Sequence, residues 1–155
     1  MKLRRATLLA ILAAIAGPAA AAPYCTVSAL NLVFPAYDSM RASPTDTVGN
    51  ITVSCGGAAG DIVSHSLLLT PGASPSFAVR TMRLGGTALN YNLFINAART
   101  AIWGDGNGGS NIVSDSYPVT SFGSIRSYAV YGRIFPRQNV PVGTYADTIT
   151  VTVSF

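Results

Sequence analysis

Glutamate is absent from this 155-residue chain, and its single lysine, Lys2, lies at the extreme N-terminus. From Ala22 onward there is neither Lys nor Glu. Those two residues ordinarily populate exposed helix faces and are good helix formers, so their absence argues against a helical protein. Histidine occurs once, as His65, and cysteine twice, as Cys25 and Cys55, with no C-x-x-C spacing. A Ser-His-Asp or Cys-His site would have to use His65. It sits between Ser64 and Ser66 at the start of a candidate strand, with no nucleophile motif beside it, and reads as a surface or strand-end histidine. One His and a bridged Cys pair leave too few nitrogen and sulfur ligands for zinc. The acids are six aspartates, Asp38, Asp46, Asp61, Asp105, Asp115 and Asp147. They are scattered, mostly beside Gly, Ser or Thr where Asp commonly caps turns, and no pair reads as glycosidase acid and base. The expectation is a protein that is not an enzyme and has no cofactor.

Long hydrophobic runs are missing too. The longest uncharged, mostly apolar stretch, Ala6 to Ala16, is 11 residues, against the roughly 20 that a membrane-spanning helix needs. It follows Lys2, Arg4 and Arg5 and precedes the breaker Gly17-Pro18. Ala19 and Ala21 then fill an A-x-A cleavage pattern. This three-part order predicts a secretory signal peptide over residues 1–21, cut after Ala21, and one domain over residues 22–155. Cleavage changes the charge argument. Of the formal +4, three bases lie in the leader. Residues 22–155 keep seven Arg (Arg41, Arg80, Arg83, Arg99, Arg126, Arg133, Arg137) against six Asp, a net +1. The arginines are dispersed, which excludes a phosphate-tracking surface and hence nucleic acid. Two cysteines in an exported domain predict one Cys25–Cys55 disulfide.

What is present in quantity is Thr, Ser, Val, Tyr, Phe and Gly, the material of strands and tight turns. Period-two alternation marks Thr26–Phe34, with an offset at Ala29, and Gly49–Cys55, Phe77–Leu84, Leu89–Asn96 and Ser127–Phe135; Ser64–Thr70 is a strand read from its short apolar run Leu67–Leu69, and Arg41–Asp46 reads as a loop. In Leu89–Asn96 the pattern points Leu89, Tyr91, Leu93 and Ile95 inward and Asn90, Asn92, Phe94 and Asn96 outward. The cleanest strand is the last, Thr148–Phe155, where Ile149, Val151, Val153 and Phe155 share one face and Thr148, Thr150, Thr152 and Ser154 the other. Seven or so short strands without a helical period predict an all-β sandwich. The segment Trp103-Gly-Asp-Gly-Asn-Gly-Gly-Ser-Asn111 stands out. Asp105, Asn107 and Asn111 offer oxygen ligands, but one carboxylate without a bidentate acid does not make a calcium loop. It reads as a glycine-rich turn with a packed Trp, and Trp103, Asp105 and Asn107 are candidates for a surface contact.

These pieces, in order, resemble the spore coat protein U domain, also the pilin module of archaic chaperone–usher pili. The resemblance rests on Cys25-Thr-Val, Gly49-Asn-Ile-Thr-Val-Ser-Cys55, Arg80-Thr-Met82, Leu89-Asn-Tyr-Asn-Leu93, Trp103-Gly-Asp-Gly106, Val130-Tyr-Gly-Arg-Ile134 and Gly143-Thr-Tyr-Ala-Asp-Thr-Ile-Thr-Val-Thr-Val-Ser-Phe155. It implies an incomplete immunoglobulin-like β-sandwich lacking its last strand. A periplasmic chaperone, and then a sister pilin subunit at the outer-membrane usher, would supply that strand by β-augmentation. It also implies a secreted structural or adhesive protein, passing through the periplasm to the cell surface or a pilus, with no transmembrane segment after cleavage. Ile149, Val151, Val153 and Phe155 would then line the partner-strand groove, and Cys25 and Cys55 match the family's bridge. One departure stands out: only Ala22, Pro23 and Tyr24 precede Cys25. At about 3.3 Å per residue they reach ~10 Å, short of a donor strand. The expectation is a subunit that accepts a strand without giving one, capping an assembly or sitting at its tip. The alternative is a stand-alone secreted module binding a sugar or protein through the Trp103–Asn111 loop.

Overall fold

Alternating β-branched residues on either side of Gly49 build the longest strand of the fold. The computed structural model describes residues 22–155, so the expected leader over residues 1–21 lies outside the described residues. Eight strands follow in order: β1 (Tyr24–Ala29), β2 (Thr45–Gly56), β3 (Ile62–Leu69), β4 (Arg80–Leu84), β5 (Thr87–Phe94), β6 (Val113–Pro118), β7 (Ser124–Ile134) and β8 (Val151–Ser154). They form one sheet in the order β1-β2-β7-β5-β4 and a second in the order β6-β3-β8. Every pairing is antiparallel. Among the described residues there is no helix, and none therefore long and apolar enough to cross a membrane.

The two sheets face each other as a sandwich, and the inward residues of each strand make the core. β2 contributes Ile51, Val53 and Cys55, β3 Val63, Leu67 and Leu69, β5 Leu89, Tyr91 and Leu93, and β7 Val130 and Ile134. The register brings Cys25 directly opposite Cys55 across the β1–β2 pair, and the expected disulfide closes there. The bridge staples the first strand, which has only one neighbour, to the sheet.

Several boundaries differ from the sequence pattern, each for a tertiary reason. β2 starts at Thr45, inside the stretch read as a loop, because Thr45–Val48 pair with Tyr131–Ile134 of β7. β1 stops at Ala29, where its ladder with β2 ends at Ile51, and Leu30–Phe34 leaves the sheet. β4 starts at Arg80, since the carbonyls of Phe77 and Ala78 turn aside to accept hydrogen bonds from the Asn92 side chain. β6 carries only Val113 and Tyr117 as non-proline hydrophobics, too few for a legible alternation, yet it pairs with β3 from Ile62↔Pro118 to Leu67↔Val113. Regular pairing in the last segment is confined to Val151–Ser154.

Candidate functional site

The stretch from Tyr145 to Ser154 keeps a strict alternation. Tyr145, Asp147, Ile149, Val151 and Val153 are half-buried, while Ala146, Thr148, Thr150, Thr152 and Ser154 are exposed. It crosses from one sheet to the other. Ala146 bridges to Arg83 at the β4 edge, with N···O distances of 2.8 and 3.1 Å. Beyond it, Thr70 N–H donates to the Thr150 carbonyl at 3.1 Å and β8 joins β3 from Leu69↔Val151 to Ser66↔Ser154. β8 has a strand on that side alone; its other edge is unpaired among the described residues.

Beside that open edge lies a cleft of about 500 Å³ between the sheets. Its floor is Ile51, Met82, Tyr91, Leu93 and Val130 of the larger sheet. One wall is Ile149 and Val151, and the facing wall is Leu30, Leu32 and Phe34. The facing segment is held mainly by side chains. Its one hydrogen bond among the described residues runs from Thr47 Oγ1 to the Val33 carbonyl, 2.8 Å. Leu32 and Phe34 drop onto the larger sheet because two glycines leave room. A Cβ on Gly49 would lie 2.5 Å from Leu32 Cδ1, and one on Gly132 would lie 2.8 Å from both Leu32 Cδ2 and Phe34 Cζ. Phe34 then meets Tyr91 edge-on, ring centroids 6.0 Å apart.

The cleft has one charged end. Tyr91 donates its hydroxyl to Asp147 Oδ2 at 2.8 Å. Asp147 Oδ1 accepts from the backbone N–H groups of Ala73 at 2.9 Å and Thr148 at 2.8 Å. Burial, and then the Asp147 carboxylate, push the Tyr91 phenol well above its ordinary range, so it remains a donor.

The structure separates the residues that the alternation grouped. Ile149 and Val151 line the cleft, and Val153 packs against the core without lining it. Phe155 is 72 % exposed and borders a shallow depression with Ser64, Ser66 and Ser154, away from the cleft. The reason is that it lies past the last β3 pairing, at Ser154.

Trp103 is fully buried and donates Nε1–H to the Leu67 carbonyl at 3.1 Å, so its expected place on a contact surface is corrected: it is the anchor beneath the loop. Asp105 and Asn107 do sit in the turn above it, with Asn107 N–H donating to Asp105 Oδ1 at 2.9 Å. That backbone bond holds the Asp105 carboxyl below the usual carboxylate range. His65 is neither at the surface nor at a strand end. It lies within β3, 4 % exposed, because Val63, His65, Leu67 and Leu69 form the inward row. The Tyr128 hydroxyl donates to Asp115 Oδ2 at 2.8 Å and stands 3.0 Å from His65 Nε2. Nε2–H therefore donates to Tyr128, and Nδ1 is left buried without a partner.

Two polar residues escaped the sequence pattern, Arg80 and Asn92, both buried. Asn92 falls on the face that alternation assigns to solvent. No local signal marks it, since its burial comes from the loop that folds over β5.

Three comparisons with known proteins bear on the family and the fold. The family model of the Spore Coat Protein U domain matches residues 10–152. Protein U of Myxococcus xanthus is 30 % identical over 111 residues, 69 % of this chain, and the chain spans 59 % of that protein's length. The fold is similar to one in the crystal structure of the CsuC–CsuE chaperone–tip adhesion subunit pre-assembly complex from archaic chaperone–usher Csu pili of Acinetobacter baumannii. That match has a TM-score of 0.57 and 23 % identity, over 86 % of this chain and 40 % of that one.

Proposed function

The chain belongs to the spore coat protein U domain family, and on that footing we propose that it is a pilin-like surface subunit completed by a strand from a partner. One observation carries the reading. Among the described residues β8 is paired on one side only, and its free edge opens onto a cleft floored by apolar side chains and bounded by Leu30–Phe34. A strand laid there would extend the β6-β3-β8 sheet, satisfy the exposed edge groups and seat alternate side chains on Ile51, Tyr91, Leu93 and Val130. It would also remove an edge that otherwise templates aggregation.

In this reading residues 1–21 direct export and are cut after Ala21, a periplasmic chaperone lends the first strand, and a sister subunit replaces it at an outer-membrane usher. β1 itself uses Tyr24 and Cys25, which favours an acceptor role, at a cap or tip. The role is structural and adhesive, not catalytic. The alternative, a stand-alone module reading a sugar or protein through the Trp103–Asn111 loop, would have to use the exposed residues of that turn, because the Trp103 ring is buried.

The test is complementation. The purified chain is mixed with synthetic peptides of alternating apolar residues, and thermal stability and resistance to denaturant are followed. A matching peptide raises both, and Val151→Arg abolishes the gain while Thr152→Arg, on the exposed face, retains it. A chain that is monomeric and stable alone, and indifferent to every peptide and to a co-expressed chaperone, sinks the reading.

A further inference from the structure

The turn above Trp103 holds a chemical feature unrelated to the cleft. The chain has eight asparagines, and only Asn107 is followed by glycine. Asn107 and Gly108 are both exposed. Gly108 sits at φ 56°, with open space where a Cβ would stand, so nothing shields its nitrogen. The Gly108 N–H has no hydrogen-bond partner among the described residues, and the Asn107 side-chain amide lies beside the Asp105 carboxylate, which it helps to hold ionised. The adjacent Asp105-Gly106 pair is the contrast: Gly106 N–H is engaged by Ser110 Oγ at 3.1 Å, and Asp105 Oδ1 is held by Asn107 N–H.

Ser110, itself buried, does more than shape the turn. Its backbone N–H donates to the Asn107 carbonyl at 3.0 Å and its hydroxyl donates to the same oxygen at 2.7 Å. That carbonyl belongs to the peptide whose nitrogen is Gly108 N. When Gly108 N loses its proton, the negative charge spreads onto this oxygen, where two fixed donors stabilise it, as in an oxyanion hole. The two Ser110 donors thus act on the one peptide of the chain that joins an asparagine to a glycine.

We propose that Asn107-Gly108 is a self-modification site, at which Ser110 promotes conversion of the Asn107 amide to a carboxylate through a cyclic imide. Deprotonated Gly108 N attacks Asn107 Cγ, forming the ring C–N bond. The Cγ–Nδ2 bond breaks, and the departing nitrogen takes up a proton to leave as ammonia. Water then opens the imide at either carbonyl, giving aspartate or its β-linked isomer at position 107. No oxidant or cofactor enters; the co-reactant is water. The product places a second carboxylate beside Asp105 and takes the net charge of residues 22–155 from +1, seven Arg against six Asp, to zero. The modification is thus a slow covalent change that adds one negative charge to an exposed turn.

The full-length exported chain, folded and disulfide-bonded, is incubated at mildly alkaline pH beside the same chain reduced and held in denaturant. Tryptic peptide Thr100–Arg126, which contains both Asn107 and Asn111, is then followed by mass and fragmentation. The expected result is conversion at Asn107 alone, faster in the folded chain than in the denatured one. Isoelectric focusing should show the gain of one negative charge. Gly108→Ala should abolish conversion, and Ser110→Ala should reduce the folded rate to that of the denatured chain. Conversion in the denatured chain as fast as or faster than in the folded one overturns the proposal. So does an unmodified Asn107, or equal conversion at Asn111.

Discussion

Arg80 and Asn92 meet beneath the loop that covers β5, with Nη1 donating to Asn92 Oδ1 at 2.7 Å and both side chains almost wholly buried. Among the described residues no carboxylate lies within ion-pair distance of this arginine. It is satisfied by the Thr70 carbonyl at 3.2 and 2.9 Å, the Trp103 carbonyl at 2.7 Å, and the Phe77 ring, 5.3 Å from the guanidinium carbon. A planar fork with five donors suits three oxygens and a ring face better than an ammonium does. The network ties the turn after β3, the strand β5 and the glycine-rich loop to β4.

The first prediction tests that network. Asn92→Ala leaves a buried guanidinium donor unmet and two loop carbonyls without their amide, and should destabilise by roughly 1.5–3 kcal/mol. Arg80→Lys should not restore stability, because one ammonium cannot span the same acceptors. Denaturant titration of both variants checks this. An Arg80→Lys variant as stable as the parent would show that geometry matters less than charge.

Acidification should weaken the fold in two separate steps. Burial lowers the His65 pKa from its ordinary 6.5, only partly opposed by Asp115. The charged and titratable groups around the ring are Tyr117 and Asp115 of β6 and Tyr128 and Arg126 of β7. Below pH 6.5 the unfolded chain takes up a proton that the folded chain resists, so stability falls as pH drops through the folded His65 value. Asp46 is different. Its hydrogen bonds from Arg133, at 2.7 and 2.8 Å, hold its carboxyl below 3.8, and its contribution is lost only at still lower pH. Midpoints measured across pH should show the upper step vanish in His65→Phe while the lower step stays. An unchanged upper step would rule out His65 as its origin.

Gly132→Ala should displace the wall of the cleft. The added Cβ would come within 2.8 Å of Leu32 and Phe34 and 3.0 Å of Thr47 Cγ2. Overpacking of this kind costs about 1–3 kcal/mol. The fluorescence of Tyr91, which packs against Phe34, should change with it. Gly86→Ala, with nothing within 4 Å, serves as the control.

Reduction of the bridge should be felt across the whole sheet. Cys25 and Cys55 are 30 residues apart, and chain-entropy arguments put such a loop at roughly 3–4 kcal/mol. Urea unfolding with and without reductant measures it. A difference near zero would mean that the bridge adds little beyond the β1–β2 ladder.

The sequence by itself determined the strand-forming character, the single bridge and the C-terminal alternation. Each of these is a local or compositional property: missing Lys and Glu, two cysteines, and period-two patterns strong enough to survive folding. Tyr145 to Ser154 alternates in the structure as it does in the letters. The tertiary structure alone decided which alternating residues meet the cleft. Ile149 and Val151 line it and Phe155 does not, because β3 ends its pairing at Ser154. It also decided that Leu30–Phe34 leaves the sheet to become a wall, since the room for Leu32 and Phe34 comes from Gly49 and Gly132 on two other strands. Arg80, Asn92, His65 and Trp103 were buried by elements distant in sequence. A polar or aromatic side chain is inside only if those elements supply its hydrogen bonds, and no local pattern records that supply.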